Sequence, residues 1–382
     1  MEQHRARKTF KYQLHPTPEQ EQALETVLWR CRELYNAGLE ERKLAWEKRS
    51  VSVTFAMQSA QLPAIKEVRP EYRDVNAQVL QDVLHRLDRA FQAFFRRVQA
   101  GEKPGYPRFR GRDRYDSFTY PQVGEHGGAV LDGSLLSLSK IGRIRVRLHR
   151  PLEGAPKTVT ISREADGWYV CISCADVPTA PLPPTGQETG IDVGLKVFLV
   201  TAHGEHIPNP RHYRKAERQL ANAQRRVSRR TKGSHRRRKA VALLRRKHQT
   251  IARQRRDFHH KTALALLRQY DIVYLEDLRV RNLVRNPQLA KSISDASWGA
   301  FCTILHAKAA WAGRQVIAVP PAYTSQDCSG CGERGFPKSL SVRTHVCPSC
   351  GLVIDRDENA ARNILRAGQA RQGVVAVAAA LN

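Results

Sequence analysis

Acid is scarce in this chain of 382 residues: 36 Asp and Glu stand against 64 Lys and Arg, a formal net charge of +28 at pH 7. A globular chain this basic repels itself unless a polyanion neutralises it. Nucleic acid is the expected partner, because each phosphate contact releases a condensed counterion. Long apolar runs are missing too. The longest, Val374 to Leu381, is short and Ala-rich, well under the roughly 20 residues that span a bilayer, so no membrane partner is expected. The start, Met1-Glu2-Gln3-His4-Arg5, has no apolar h-region. No signal peptide is read there, and a cytoplasmic, nucleoid-associated location is expected. No internal repeat is present. In that setting eight cysteines argue for metal binding or buried thiols rather than disulfides. Hydrophobic content is ordinary at 41%, enough for two to four domains with their own cores.

What is present falls into blocks. Residues 8–14 alternate as a strand does. Thr17-Pro18-Glu19-Gln20 reads as a helix start, with Thr17 as N-cap, Pro18 at the first helical position and Gln20 closing a capping box. Leu24, Val27, Leu28, Cys31, Leu34 and Tyr35 then recur at helical spacing. A second helix carries Leu80, Leu84, Leu87, Phe91, Phe94, Phe95 and Val98 on one face. Residues 101–120 form a Gly/Pro-rich loop with interleaved basic and aromatic residues, and 135–176 read as short strands with a hairpin turn at Asp166-Gly167. A Pro/Thr-rich linker covers 177–188. Beyond Gly190 come two strands of a meander, a basic helical stretch broken at Lys232-Gly233-Ser234, and a strand over 272–275. A helix over 300–312 and a strand over 315–319 follow. The chain ends with a cysteine-rich insert, a helix over about 357–366 and a mobile tail after Gly368.

Two cysteine pairs have the spacing of metal knuckles. Cys328 and Cys331 are separated from Cys347 and Cys350 by fifteen residues, and each pair bites one edge of a tetrahedron, which suits one structural Zn²⁺. Gly330, Gly332 and Gly351 supply tight turns. The site is closed and offers no catalytic opening. Cys171 and Cys174 share the short spacing but lie in an alternating run, where residues three apart point to opposite faces. They read as packed thiols.

In so acid-poor a chain, a carboxylate within an apolar strand needs a reason. Asp192 sits in Gly190-Ile191-Asp192-Val193-Gly194, Glu276 ends the run Ile272-Val273-Tyr274-Leu275, and Asp357 opens a helix. Gathered in space, these acids repel one another unless divalent metal compensates, and hard oxygen ligands favour Mg²⁺ or Mn²⁺. Each has a plainer alternative. Asp192 could be a turn residue before Gly194, and Glu276 a solvated strand end. Asp357 could be a helix N-cap, a role for which Asp355 competes.

From Arg211 to Arg256 there are nineteen Lys and Arg and one acid, Glu217. A helical run so one-signed wants counter-charge, which marks Arg225, Arg229, Arg236 and Arg237 as phosphate contacts rather than a solvated face. Arg108 and Arg110, in the aromatic loop, suit phosphate contact beside base stacking; the alternative is a core-capping loop with surface arginines.

Four stretches, Gly-Ile-Asp-Val-Gly-Leu-Lys, Val-Tyr-Leu-Glu-Asp-Leu, Tyr-Thr-Ser-Gln-Asp-Cys-Ser-Gly-Cys-Gly and Asp-Arg-Asp-Glu-Asn-Ala-Ala-Arg-Asn-Ile, resemble the TnpB family in this order. These are transposon-encoded relatives of type V CRISPR effectors. Phe-Lys-Tyr-Gln-Leu-His-Pro-Thr-Pro-Glu-Gln and Leu87-Asp88-Arg89-Ala90-Phe91 resemble it as well, so the likeness covers nearly the whole chain. The resemblance implies an α/β fold with β-barrel and helical parts. A β-barrel wedge would occupy 1–16 and 101–182, with a helical recognition domain inserted over 17–100. A RuvC-like nuclease of RNase H type would occupy 183–320 and 352–368, a zinc ribbon 321–351, and a flexible tail 369–382. It further implies that Asp192, Glu276 and Asp357 are catalytic and hold two Mg²⁺, and that Cys328, Cys331, Cys347 and Cys350 hold zinc. The partners would be a guide RNA from the transposon end and target DNA beside a short flanking motif, with one RNA on a monomer. Gln78 and Gln81, at the start of an amphipathic helix, are candidate readers of that motif, since glutamine can read adenine edges; the alternative is two solvated helix positions. Two rival functions stay open: a nuclease-inactive RNA-guided DNA-binding repressor and a DNA transposase.

Overall fold

A computed structural model describes residues 5–124, 126–335 and 342–380. The chain divides into two compact units, Met1–Pro178 and Thr179–Asn382. The first opens on strand β1 (Arg5–His15) and a 32-residue helix α1 (Pro18–Arg49). The capping box is formed at its start: Thr17 Oγ1 accepts from the Gln20 amide and Gln20 Oε1 accepts from the Thr17 amide. Short helices α2 (Phe55–Ala60) and α3 (Leu62–Val68) lead to α4 (Ala77–Gln99), capped by Asn76. Leu80, Leu84, Leu87 and Phe91 are buried, but Phe95 and Val98 are about half exposed. The stripe predicted from spacing is therefore buried only over its first part.

The remaining strands are β2 (Ser117–Tyr120), β3 (Ala129–Asp132), β4 (Leu135–Leu138), β5 (Gly142–Arg147), β6 (Ala155–Glu164) and β7 (Gly167–Pro178). They form one seven-stranded antiparallel sheet ordered β2-β6-β7-β1-β5-β4-β3, a nearly closed barrel. Alternation decides its interior: Phe10, Tyr12 and Leu14 of β1 and Trp168, Val170, Ile172 and Cys174 of β7 all enter the core. Cys174 faces in and Cys171 out, as packed thiols on one strand must. The β6–β7 turn is Ala165-Asp166, because Glu164 pairs with Gly167, so Gly167 is the first residue of the returning strand rather than part of the turn.

The second unit holds β8 (Glu188–Val193), β9 (Val197–Thr201) and β10 (His206–Pro208), then the basic helices α5 (His212–Ser228) and α6 (His235–Gln269). The break between the helices falls at the expected place, with Ser234 capping α6. Strand β11 (Ile272–Glu276), helices α7 (Val280–Leu283), α8 (Ala290–Ala296) and α9 (Trp298–Ala312), and strand β12 (Gln315–Val319) follow. A hairpin of β13 (Thr344–Val346) and β14 (Val353–Asp355) precedes helix α10 (Arg356–Ala380). The main sheet runs β10-β9-β8-β11-β12. β8 is antiparallel to β9 and parallel to β11, which is parallel to β12, a mixed α/β sheet of RNase H type.

The two faces of this sheet bury different partners. Ile191, Val273 and Leu275 pack with Leu266 and Leu267 of α6 and Phe301 and Leu305 of α9. Tyr274 and Val319 pack with Ile364 of α10. α10 continues past Gly368, where a mobile tail is expected, through the Ala-rich segment to Ala380, in line with the high helix propensity of alanine. Residues 381–382 of that expected tail lie outside the described residues, as do the first four residues of the chain and residues 336–341 of the cysteine-rich insert.

Candidate active site and metal centre

Three elements deliver the carboxylates to one place. In a strand, alternate residues share a face, so Gly190 and Asp192 of β8 share one, and Tyr274 and Glu276 of β11 share one. The two strands are parallel neighbours whose last pair is Leu275 with Ile191. One residue further on, each presents its acid at its carboxyl end. The chain leaves β8 toward β9 on one side, and β12 lies beyond β11 on the other. Crevices for ligands in α/β sheets form at such a switch point. α10 closes the same face. A Cβ on Gly190 would come within 2.2 Å of the Ala361 carbonyl oxygen, and one on Gly368 within 2.0 Å of the Tyr274 ring. These two glycines let the helix lie close on the sheet, and that approach brings Asp357, in its first turn, within electrostatic reach of Asp192.

The plainer alternatives fail in particular ways. Asp192 is a strand residue paired with Val200 rather than a turn residue. Glu276 is half-buried, and Thr324 Oγ1 donates a hydrogen bond to its Oε1. The α10 cap is Asp355, whose Oδ1 accepts from the amides of Asp357 at 2.9 Å and Glu358 at 3.2 Å. That leaves the Asp357 carboxylate to an ion pair with Arg343 at 3.5 Å. The site's electrostatics are those of crowded acids. Burial, then the charges of Glu276 and Asp357, push the Asp192 carboxyl up to about 8, against a smaller opposing pull from Arg356. Burial also raises Glu276, with the Thr324 hydrogen bond opposing. Hard oxygen donors gathered around a buried Asp192 whose charged form they disfavour fit a divalent cation, whose charge removes the repulsion.

The four cysteines form the tighter group. Cys328 and Cys350 Sγ lie 3.6 Å apart, as do Cys331 and Cys347 Sγ, and all four sulfurs lie within 4.8 Å of one another. A tetrahedron with Zn–S of about 2.3 Å has edges of about 3.8 Å, so the thiols sit where zinc would hold them. Gly332 and Gly351 have φ of +81° and +73°, the left-handed conformation a knuckle turn uses. Gly330 acts differently: a Cβ there would lie 3.4 Å from Cys350 Sγ and 3.6 Å from Cys328 Sγ. The backbone amides of Cys350 and Ser349 pull the Cys347 thiol down to about 6, toward the thiolate that binds metal.

Two buried asparagines join the cysteine cluster to the acids. Asn359 accepts from the Ser329 amide at 2.8 Å and donates to the Asp327 carbonyl at 2.9 Å. Asn363, one helical turn on, donates to the carbonyls of Thr324 at 2.9 Å and Asp327 at 2.6 Å. Thr324 is therefore held at its carbonyl by α10 while its hydroxyl holds Glu276. Thr324, Asn359, Asn363, Gly190 and Arg343 carry no flag in composition or spacing. All but Arg343 lie within the motifs quoted above, and that was the available signal.

The remaining candidates are dispersed. Gln78 donates to Gln122 at 2.8 Å, and Gln81 is exposed. Arg108 and Arg110 are exposed on the loop, where the Asn36 amide clamps the Arg110 backbone at 2.7 and 3.0 Å. Arg225, Arg229 and Arg236 are exposed. Arg237 donates to the Val227 and Arg230 carbonyls at 2.9 and 3.0 Å, so its guanidinium caps the end of α5.

With this geometry in view, the chain can be compared with known proteins. Residues 170–287 match a family described as a probable transposase, 298–364 a Cas12f1-like TNB domain, and 1–50 a helix-turn-helix domain. A "Putative RNA-guided DNA endonuclease" of Streptomyces pristinaespiralis is 38% identical over 95% of this chain and 90% of its own. The chain belongs to the TnpB family. A second relative of this TnpB-family chain, "Putative RNA-guided DNA endonuclease InsQ" of Escherichia coli K12, is 32% identical over 94% of this chain and 92% of its own. Among solved structures, the mini-RNA-guided endonuclease CRISPR-Cas-phi3 is 11% identical over 95% of this chain and 92% of its own, with a TM-score of 0.49. In this TnpB-family chain the described part of residues 1–50 is one strand and one long helix, so the helix-turn-helix description does not match its form here. No helix of the described residues is long and apolar enough to cross a membrane.

Proposed function

We propose that this TnpB-family chain is an RNA-guided DNA endonuclease that cuts DNA matching its guide beside a short flanking motif. The observation that carries this reading is the delivery of Asp192, Glu276 and Asp357 from β8, β11 and α10 to one sheet end, with the Asp192 carboxyl raised by burial and then by the other two. Bound there, a pair of Mg²⁺ ions supplies the charge that activates water and stabilises the leaving 3′ oxygen of a phosphodiester. The chain's own residues orient that chemistry. Thr324 fixes the Glu276 carboxylate, Asp355 takes the capping role and leaves Asp357 for ligation, and Gly190 lets α10 approach. One structural zinc at the four cysteines secures the start of the insert, to which Asn359 and Asn363 are tied. The +28 charge serves the RNA and DNA, with one guide RNA from the transposon end on a monomer, and Gln78 and Gln81 facing the flanking motif. The repressor would not need the three acids, and the transposase would join strands unaided.

The deciding experiment is purification from cells carrying the gene and its flanking DNA, sequencing of bound RNA, and a Mg²⁺-dependent cleavage assay on a plasmid library with randomised flanks. A discrete RNA ending in variable sequence, with cutting only where that sequence matches, is the expected result. Bound RNA without cutting favours the repressor. Strand joining by the protein alone, without discrete RNA, favours the transposase.

A further inference from the structure

Within the first unit a groove of about 470 Å³ opens between α1, the loop at Arg112 and β6. Trp29, Arg32, Arg112, Tyr115 and Arg163 line it, with Glu25 as an acid on its wall. Glu25 pairs with Arg163 at 3.5 Å, and among the described residues neither Arg32 nor Arg112 has a carboxylate partner. The Arg32 Nε is buried without a hydrogen-bond acceptor, a state that costs free energy until an acceptor arrives. One face of the Trp29 indole is covered by the Arg30 guanidinium, 4.2 Å from the ring centroid. Trp29 nonetheless keeps 42% of its surface exposed. Two uncompensated guanidinia beside an open aromatic face, in a cavity of ligand size, match an anion joined to a flat ring.

We propose that this groove binds one unstacked nucleotide of a nucleic-acid strand, its base on Trp29 and its phosphate on Arg32 and Arg112. The site needs the strand that the proposed function supplies, but not guide matching or cutting. RNA and DNA share this chemistry, and the test separates them. The full-length protein is titrated with fluorescein-labelled 20-mers of uridine and of thymidine across a salt series. The double variant Arg32→Gln/Arg112→Gln lowers the slope of log affinity against log salt by about 0.7, the value for one single-strand phosphate. Trp29→Ala weakens binding roughly 10- to 100-fold, the range for a lost base stack, and Trp29→Phe restores most of it. A 5-iodouracil-substituted oligomer cross-links to the peptide containing Trp29. Effects on the uridine 20-mer alone assign the nucleotide to RNA, on the thymidine 20-mer alone to DNA, and on both to either strand. Unchanged slopes together with unchanged affinity of Trp29→Ala overturn the proposal. Because these probes require no cleavage, failure of the guided-nuclease reading would leave this test intact.

Discussion

The four thiols and the three carboxylates are both gathered from separated stretches of chain, yet they close differently. Two knuckle turns set the sulfurs, and the paired sulfurs stand 3.6 Å apart. The carboxylates stand on two strands and a helix whose spacing the surrounding core fixes, and the side chains that hold two of them lie outside the cluster: Glu276 is held by Thr324 and Asp357 by Arg343. Turn geometry can be written locally, in glycines and cysteines a few residues apart. A carboxylate cluster needs the sheet register and a helix lying close on the sheet, so its geometry belongs to the whole unit. The first site should therefore fail locally when damaged, and the second should lose chemistry while the fold survives.

The largest effect should come from Cys347→Ser. Structural zinc binds with an apparent free energy of roughly 10–16 kcal/mol in isolated fingers, so loss of one ligand should lower zinc content and melting temperature together. An unchanged zinc stoichiometry by metal analysis would remove the ribbon assignment. Asp192→Ala should reduce cutting by more than about 100-fold, beyond the usual loss for a residue that merely supports a ligand. Guide and target binding should persist in filter-binding assays, since the basic surface is untouched. Loss of binding with the fold intact would contradict its role.

Thr324→Val keeps the shape and removes the hydroxyl that holds Glu276. It should cost about 10- to 100-fold in activity, recovered in part at high Mg²⁺. Wild-type rates at every Mg²⁺ concentration would show that Thr324 positions nothing. The smallest effect concerns pH. Burial pulls His259 down to about 4, with a hydrogen bond to the Ala296 carbonyl at 3.0 Å opposing. Its unfolded form titrates near 6.5, so the unfolded state binds more protons between those values. Stability should fall as pH drops, by about 1 kcal/mol from pH 7 to 5.5. His212 and His260, shifted the same way by burial, add to it. Urea melts of His259→Asn should show a shallower pH dependence; an equal slope would locate the effect elsewhere.

Much of this was legible along the chain. The capping box at Thr17, the β6–β7 hairpin, the break at Gly233 and the cysteine knuckles are local patterns, and the structure follows them with a one-residue shift at the hairpin. Misreadings arose where the outcome depended on distant neighbours. Phe95 and Val98 continue an apolar stripe, yet they stay about half exposed. Arg237 resembles its neighbours in a basic run, yet it is turned to the α5 carbonyls because the break folds α6 back beside α5.

The sequence by itself determined the charge that calls for a polyanion, the thiol pairs that call for a soft metal, and the apolar periodicities that specify strands and helices, because each depends on residues a few positions apart. Only the tertiary structure decided that Asp355 caps α10 and Asp357 does not, and that Thr324 serves Glu276. It likewise set the close approach of α10 at Gly190 and the groove around Trp29. Each of these depends on distances between residues far apart in the chain, which are fixed only when the sheet and its helices pack.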